Sequence, residues 1–403
     1  MTDTFLFISK KYPANRGRHS LFTIAILSIL FVSLNLQAPS QTPTKKKISI
    51  RDSLDRAFDL SDYIIEANGF VPVPYIITEP ALGGFGLAIM PVFIKRRPSY
   101  VDTINNNVVS SPVPPDITGG LAAYTLNNTW ITAAFRSGTL VKSRIKYIIG
   151  GGYANVNMAF YHNYPQSGEQ KFNFNFRTVP IFLQAIRRIA YSRWHIGLKY
   201  LFLKTEVNYS DSLPDFVKPT QMNTVVSQLG LVIELDTRDN VFTPDKGIKL
   251  QVDALGSNSW LGSDYSFERL NCYLYAYKPI SPKLIGGWRL DGQQSFGNPP
   301  FYLLPYINMR GIPSVRYQGK ADILTELEAR WDFIRRWSLV FFGGTGKAFD
   351  YWSDFGSSQW IYSYGAGFRY LIARKFKLRM GIDIAHGTGT WAYYVIFGSS
   401  WLK

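Results

Sequence analysis

The stretch NMRGIPSVRYQGKADILTELEARWDF, residues 308–333, alternates with a period of two in its second half. Leu327, Ala329, Trp331 and Phe333 fall on one side, and Glu326, Glu328, Arg330 and Asp332 fall on the other. Successive side chains of a strand point to opposite faces, so this segment separates two unlike solvents. A soluble sandwich and a membrane barrel both meet that condition, and the number and length of such strands decide between them. The first half sets Arg310 and Gly311 at the tip of a long loop just ahead of the acidic face. An arginine there either folds inward to meet Glu328 or stands as an ordinary solvated loop residue.

The composition favours a barrel. Aromatics make up 16% of the 403 residues, with 25 Tyr, 28 Phe and 10 Trp, yet the mean hydropathy is only -0.05. A helical membrane protein of this size would be far more apolar, whereas a transmembrane barrel hides its apolar half in alternation. One long apolar run, residues 21–36, follows Lys10, Lys11, Arg16 and Arg18 and precedes Ala38. It is shorter than the ~20 residues of a spanning helix and carries the basic flank of an export signal. Residues 1–38 therefore read as a cleaved signal peptide, with an uncleaved anchor helix as the alternative, and the destination is the bacterial outer membrane. Cys272 is the only cysteine, which excludes an internal disulfide.

The formal charge of +16 arises from 44 basic and 28 acidic residues, which are scattered singly apart from the run at residues 45–47. No helix or repeat presents a basic face, so nucleic acid is excluded as a partner. The excess suits lipid phosphates, including those of lipopolysaccharide, or a polar lumen.

Residues 39–69 form a short polar segment, read as periplasmic, in which Leu54, Phe58 and Ile65 have loosely helical spacing. From Phe70 the pattern changes to strands that reverse at turn signals, and residues 70–403 read as one all-β unit. About 16 strands are predicted, an even number as bacterial single-chain barrels require. The first spans 70–78 and the last 391–402, with a polar loop around Asn105 and Asn107. Phe172, Phe174 and Phe176 alternate with Lys171, Asn173, Asn175 and Arg177. On 194–209, Trp194, Ile196, Leu198, Tyr200 and Phe202 are predicted to face outward, with His195 and Lys199 inward. Hydrocarbon outside and water within are expected to set every second position downstream of the leader. Links alternate between short, as at 281–283, and long, as at 295–321, matching periplasmic turns and outer loops.

At DTRDNVFTPDKG, NMRGIPS and RMGIDIA the chain resembles the BamA/TamA-type outer-membrane barrels, the bacterial surface antigen family. GFVPVPYIITEPALGGFG is similar to a barrel-only branch without periplasmic docking domains. The resemblance implies a sixteen-stranded antiparallel barrel whose sixth outer loop enters the lumen and is latched by its Arg-Gly motif. The latch arginine falls on Arg310, with Gly311 behind it, and its acidic partner on Glu328. Gly344 occupies the region of a second lumenal acid, for which Asp383 is the substitute, and Ile312 stands where the family has an aromatic. Asp236, Arg238, Asp239 and Gly247 belong to the hairpin motif, whose acids also read as ordinary turn fixers. The last strand, carrying Trp391, Gly398 and Trp401, would meet either the strand at 70–78 or the one at 86–95 at a seam.

No catalytic constellation is present: His19, His162, His195 and His386 stand apart from any recognised Ser, Cys or carboxylate spacing. Neither a metal nor a cofactor is implied by any motif. The expectation is a non-enzymatic barrel acting in outer-membrane protein assembly or translocation, with unfolded outer-membrane proteins as clients, or in an accessory or lipid-handling role. A passive pore or structural barrel is the alternative.

Overall fold

The computed structural model describes residues 49–401 apart from 67–69, 96–99, 105–106, 112–115, 165 and 191. Signal peptide and cleavage site lie outside the described residues. The first half of the chain contributes β1 (Phe70–Ile77), β2 (Gly86–Lys95), β3 (Tyr100–Ile104), β4 (Asn107–Ser111), β5 (Asp116–Thr125), β6 (Trp130–Leu140), β7 (Ile145–Tyr164), β8 (Gly168–Arg188) and β9 (Trp194–Asn208). The second contributes β10 (Asn223–Asp236), β11 (Gly247–Ser257), β12 (Phe267–Ser281), β13 (Leu284–Gly297), β14 (Ala321–Trp331), β15 (Trp337–Phe349), β16 (Ile361–Ala373), β17 (Leu378–Gly387) and β18 (Thr390–Phe397).

Sixteen of these form one antiparallel sheet in chain order, β1-β2-β5 and onward to β18, bent into a nearly closed transmembrane barrel. The predicted architecture is borne out, with two corrections. The polar loop around Asn107 contains a separate hairpin, β3 paired with β4. The last strand ends at Phe397 rather than Leu402, because Gly398 takes a φ of 75° and turns the chain inward.

Burial is inverted relative to a water-soluble protein. On β14, Leu327 is 63% exposed while its neighbour Glu326 is 2% exposed, and Asp383 on β17 has no exposed surface at all. Apolar residues face hydrocarbon and charged residues pair inside, as a membrane barrel requires. On β9, Trp194, Ile196 and Leu198 are exposed and His195 is buried, as predicted.

The expectation of one rule at every second position is wrong for the tops of β7 and β8. Lys171, Asn173 and Arg177 are exposed while Phe174 and Phe176 on the opposite face are buried. Past Thr178 the sense reverses: Ile181 and Leu183 are exposed on the side that Arg177 occupies higher up. These strands have 20 and 21 residues, against the ~9–11 needed to cross a bilayer. Their upper halves stand in water, so the apolar face turns inward as in a soluble protein. There Phe160, Phe174, Phe176 and Val207 pack with Val217 and with Phe301 and Val315 of the loop between β13 and β14.

At the short-turn end, Arg336 gathers the preceding segment. Its guanidinium bonds Asp52 and Asp55 at 2.6 Å and Asp59 at 2.8 Å, and Arg374 also bonds Asp52. Hydrogen bonding from Arg374 holds the Asp52 carboxyl well below the usual range, and Arg336 does the same for Asp55. The helical turn α1 (Ser61–Glu66) follows.

Candidate functional site: the lumenal latch and the seam

The loop of residues 298–320 enters the barrel from the long-loop end and brings Arg310 against three carboxylates. Arg310 Nε donates to Glu326 Oε1 at 2.9 Å, Nη1 to Asp383 Oδ2 at 2.8 Å, and Nη2 lies 2.9 Å from Glu328 Oε2. The Phe342 ring covers the guanidinium, with its centroid 3.4 Å from Cζ. Glu328 is thus one of several partners, and the fork spreads over acids from β14 and β17 instead of gripping one carboxylate in parallel.

Neighbouring residues complete the cluster. Arg289 bonds Asp291 at 2.7 Å, Glu326 at 3.1 Å and the Asn308 carbonyl at 3.0 Å, and Arg369 holds Asp383 at 2.5 Å. Three guanidinium groups therefore meet four carboxylates, all on or near one half of the wall. Charges taken from water cost several kcal/mol each unless paired, and here each of the seven charges has its partner at contact distance. Gly344, read from the sequence as standing at the place of a second lumenal acid, pairs with Glu326, and a Cβ there would lie 3.1 Å from the Glu326 side chain. Glu326 lies on the predicted inner face, and the sequence signal that marks it among those acids is the glycine of the following strand across from it.

Gly311, at a φ of 84°, donates its N-H to the Tyr394 hydroxyl on β18 at 2.9 Å. A Cβ there would lie 3.0 Å from the Gly387 nitrogen, so close approach as well as backbone sign calls for glycine. Ile312 is buried with Ile307, Met309, Leu324 and Ile361, which gives the loop an apolar floor without an aromatic at that position.

The loop also spans the two sides of the seam. Ser314 N-H donates to Glu79 Oε1 in the β1–β2 turn at 3.0 Å, and Arg316 donates to Thr390 Oγ1 at 3.1 Å. Arg316 further pairs with Glu169 of the β7–β8 hairpin at 2.7 Å.

Trp391 is exposed to the lipid side of β18, but Trp401 is not part of the wall. Beyond Gly398 the tail enters the lumen, where Trp401 is buried against Tyr275 and Tyr277 and donates Nε1-H to Glu326 Oε2 at 3.1 Å. Ser400 donates to Glu328 at 3.1 Å. Placing Trp401 on the seam strand from sequence is therefore corrected: the left-handed turn at Gly398 sends it to the same acids that hold Arg310.

The hairpin motif fixes its own turn. Arg238 forks onto Asp236 at 3.0 and 2.8 Å, while Asp239 accepts the N-H groups of Asp245 and Lys246. Gly247 adopts a φ of 111°, and a Cβ there would meet the Thr237 carbonyl at 2.5 Å. This turn also reaches the tail, since Phe242 O accepts from Ser399 N-H. Among the described residues no group of His, Cys, Asp and Glu is placed to hold a metal ion.

Sixteen strands in chain order, an inward loop and a lumen full of paired charge now define the architecture. The fold is that of the BamA and CdiB barrels. BamA from Haemophilus ducreyi, in a structure lacking POTRA domains 1-3, matches over 82% of this chain and 70% of its own, at 12% identity and a TM-score of 0.54. CdiB from Escherichia coli matches over 81% and 62%, at 9% identity and 0.55. CdiB from Acinetobacter baumannii matches over 82% and 59%, at 11% identity and 0.52. The chain spans less than two thirds of either CdiB protein. No family model and no curated protein matches the sequence. BamA and CdiB barrels share with this chain a fold found in the bacterial outer membrane, at sequence identities too low to extend the likeness beyond fold.

Proposed function

We propose that this protein is an outer-membrane assembly or translocation factor whose barrel wall parts at the β1–β18 seam. The observation that carries this reading is the way the barrel is held shut. Among the described residues no ladder joins β1 to β18, while the loop of residues 298–320 bonds the β1–β2 turn on one side and β18 on the other. A wall secured by a removable loop is suited to opening sideways, where a pore needs a sealed wall around an open lumen. Unpaired strand edges in hydrocarbon are costly and adhesive, so a parted seam would capture an extended segment of a client. Clients are then unfolded outer-membrane proteins. The short turns and residues 49–66 would lie on the periplasmic side, and the basic surplus would meet lipid phosphates such as those of lipopolysaccharide.

Depletion of the protein, followed by measuring the folded amounts of other outer-membrane barrels, tests the reading. A selective fall in one or more of them is expected. Unchanged levels, together with steady single-channel steps from the purified protein, would favour a passive pore.

A further inference from the structure

The β1 sequence FVPVPYII carries a reason for the open seam. β1 pairs with β2 in unbroken register from Phe70↔Phe93 to Ile77↔Gly86, passing through Pro72↔Pro91 and Pro74↔Ile89. In an antiparallel ladder, alternate residues turn both backbone groups to the partner and the residues between turn theirs away. Proline has no N-H, so a ladder that runs through both prolines must be bonded at Val71, Val73, Tyr75 and Ile77. The backbones of Phe70, Pro72, Pro74 and Ile76 then face the seam. The far side of β2 gives an independent check, because the same phase aims the Pro91 nitrogen at β5. There the register jumps from Ile89↔Ala122 to Val92↔Gly119, skipping Pro91.

The opposite edge is different. Gly398 N-H donates to Arg379 O at 2.7 Å, continuing the Phe397↔Met380 register. Ala392, Tyr394 and Ile396 are in the same phase and face β17. Trp391, Tyr393, Val395 and Phe397 present their N-H and C=O groups to the seam, and none is proline. One edge thus offers all of its donors, and the other lacks those of two residues among four.

We propose that β18, and not β1, is the strand-accepting edge of this barrel, and that Pro72 and Pro74 keep it free by preventing a full ladder across the seam. The occupant is an extended segment of another membrane barrel protein, apolar at every second residue. Trp391 and Tyr393 are exposed on the outer face of β18 while Ala392 is buried on the inner. An added strand can continue that wall only by matching the alternation. The inference rests on the assembly reading, but its chemistry is tested without any client.

The test uses the full chain in lipid vesicles, with Cys272→Ser and a single cysteine at either Tyr393→Cys or Tyr75→Cys, both outward-facing positions. The probe is a peptide copying Leu378–Gly387 with Ile384→Cys, the residue that pairs with Tyr393 in the β17–β18 ladder. Disulfide capture is expected to be at least tenfold greater at Tyr393→Cys than at Tyr75→Cys. Replacing Pro72 and Pro74 by valine should cut capture at Tyr393→Cys about tenfold, with the single Pro72→Val variant between the two. Equal or reversed capture overturns the proposal, as do capture at neither edge, crosslinked dimers of the chain without peptide, and capture unaffected by restoring the donors. A depletion result showing no effect on other barrels would remove the assembly role alone and leave this edge measurement to stand or fall separately.

Discussion

Arg310 is buried, and although Arg289 and Trp401 also hold Glu326, Arg369 holds Asp383 and Ser400 donates to Glu328, loss of Arg310 would leave four carboxylates to two guanidinium groups. Replacing it by Glu adds a carboxylate to a cluster that already has four, so the loop should be expelled. Cutting by an added protease between residues 298 and 320 should rise sharply relative to the native chain, whereas unchanged cutting would remove the latch. Arg310→Met keeps the volume but strands the acids, a change that typically costs about 3 to 5 kcal/mol when one partner of a buried pair is lost. Its thermal midpoint should fall, though the loop's apolar contacts through Ile307, Met309 and Ile312 remain. Trp401→Ala removes both a buried ring and the donor to Glu326, and such truncations cost about 3 to 5 kcal/mol. If tail and latch share that acid as a mechanical unit, Trp401→Ala should also raise cutting of the loop, and a variant with a lowered midpoint but an intact loop would separate them. The pairing of Arg310 with Glu328 could be suggested from the chain because the motif and the acidic face lie 18 residues apart in one stretch. The contribution of Asp383, 73 residues away, depends on β17 lying three strands along the wall from β14.

Individual strands were readable where one solvent rule applied along their whole length. On β14 the outward residues alternate cleanly and the burial pattern follows. β9 keeps that rule only over its lower half, since Lys204 and Glu206 are exposed on the side that Trp194, Ile196 and Leu198 occupy and Val207 is buried. β7 and β8 could be recognised as strands, but not as strands that leave the bilayer, because alternation looks the same whichever face is wet. If the reversal near Thr178 marks the water boundary, Phe174→Lys should disrupt the hairpin and the Phe301 contact, while Asn173→Lys, on the exposed face, should be neutral. Matching protease resistance for the two variants would refute that boundary. The segment ahead of the barrel has a pH dependence of definite sign. Asp52 and Asp55 have depressed folded values, so their contribution is present above the ordinary carboxylate range and is lost as pH falls through the depressed values. The protection of the amides of residues 49–60, measured relative to their intrinsic exchange at each pH, should be flat between about pH 5 and 8 and fall below about pH 4. Protection that falls on going to neutral pH, or that persists unchanged well below about pH 4, would assign the docking to other contacts.

For the molecule as a whole, the loop and the tail enter from opposite ends and converge on Glu326, which places both inside the half of the lumen lined by β13–β17. Purified protein in planar bilayers should therefore conduct little and irregularly, and Arg310→Glu should give larger and longer openings. Stable porin-like steps from the native chain would contradict a plugged lumen. The likeness to BamA and CdiB concerns this overall architecture, and at such low identity the residues filling the lumen have to be argued on their own chemistry. By itself the chain determined the all-β class, the strand count, the inner face of β14 and the special position of Arg310, since period-two alternation and turn residues are local properties. Only the tertiary structure decided which acids surround Arg310, that Trp401 leaves the wall, and that β1 and β18 meet without a ladder. Those outcomes depend on register and on a backbone turn that bring distant residues together, and no spacing along a single strand encodes them.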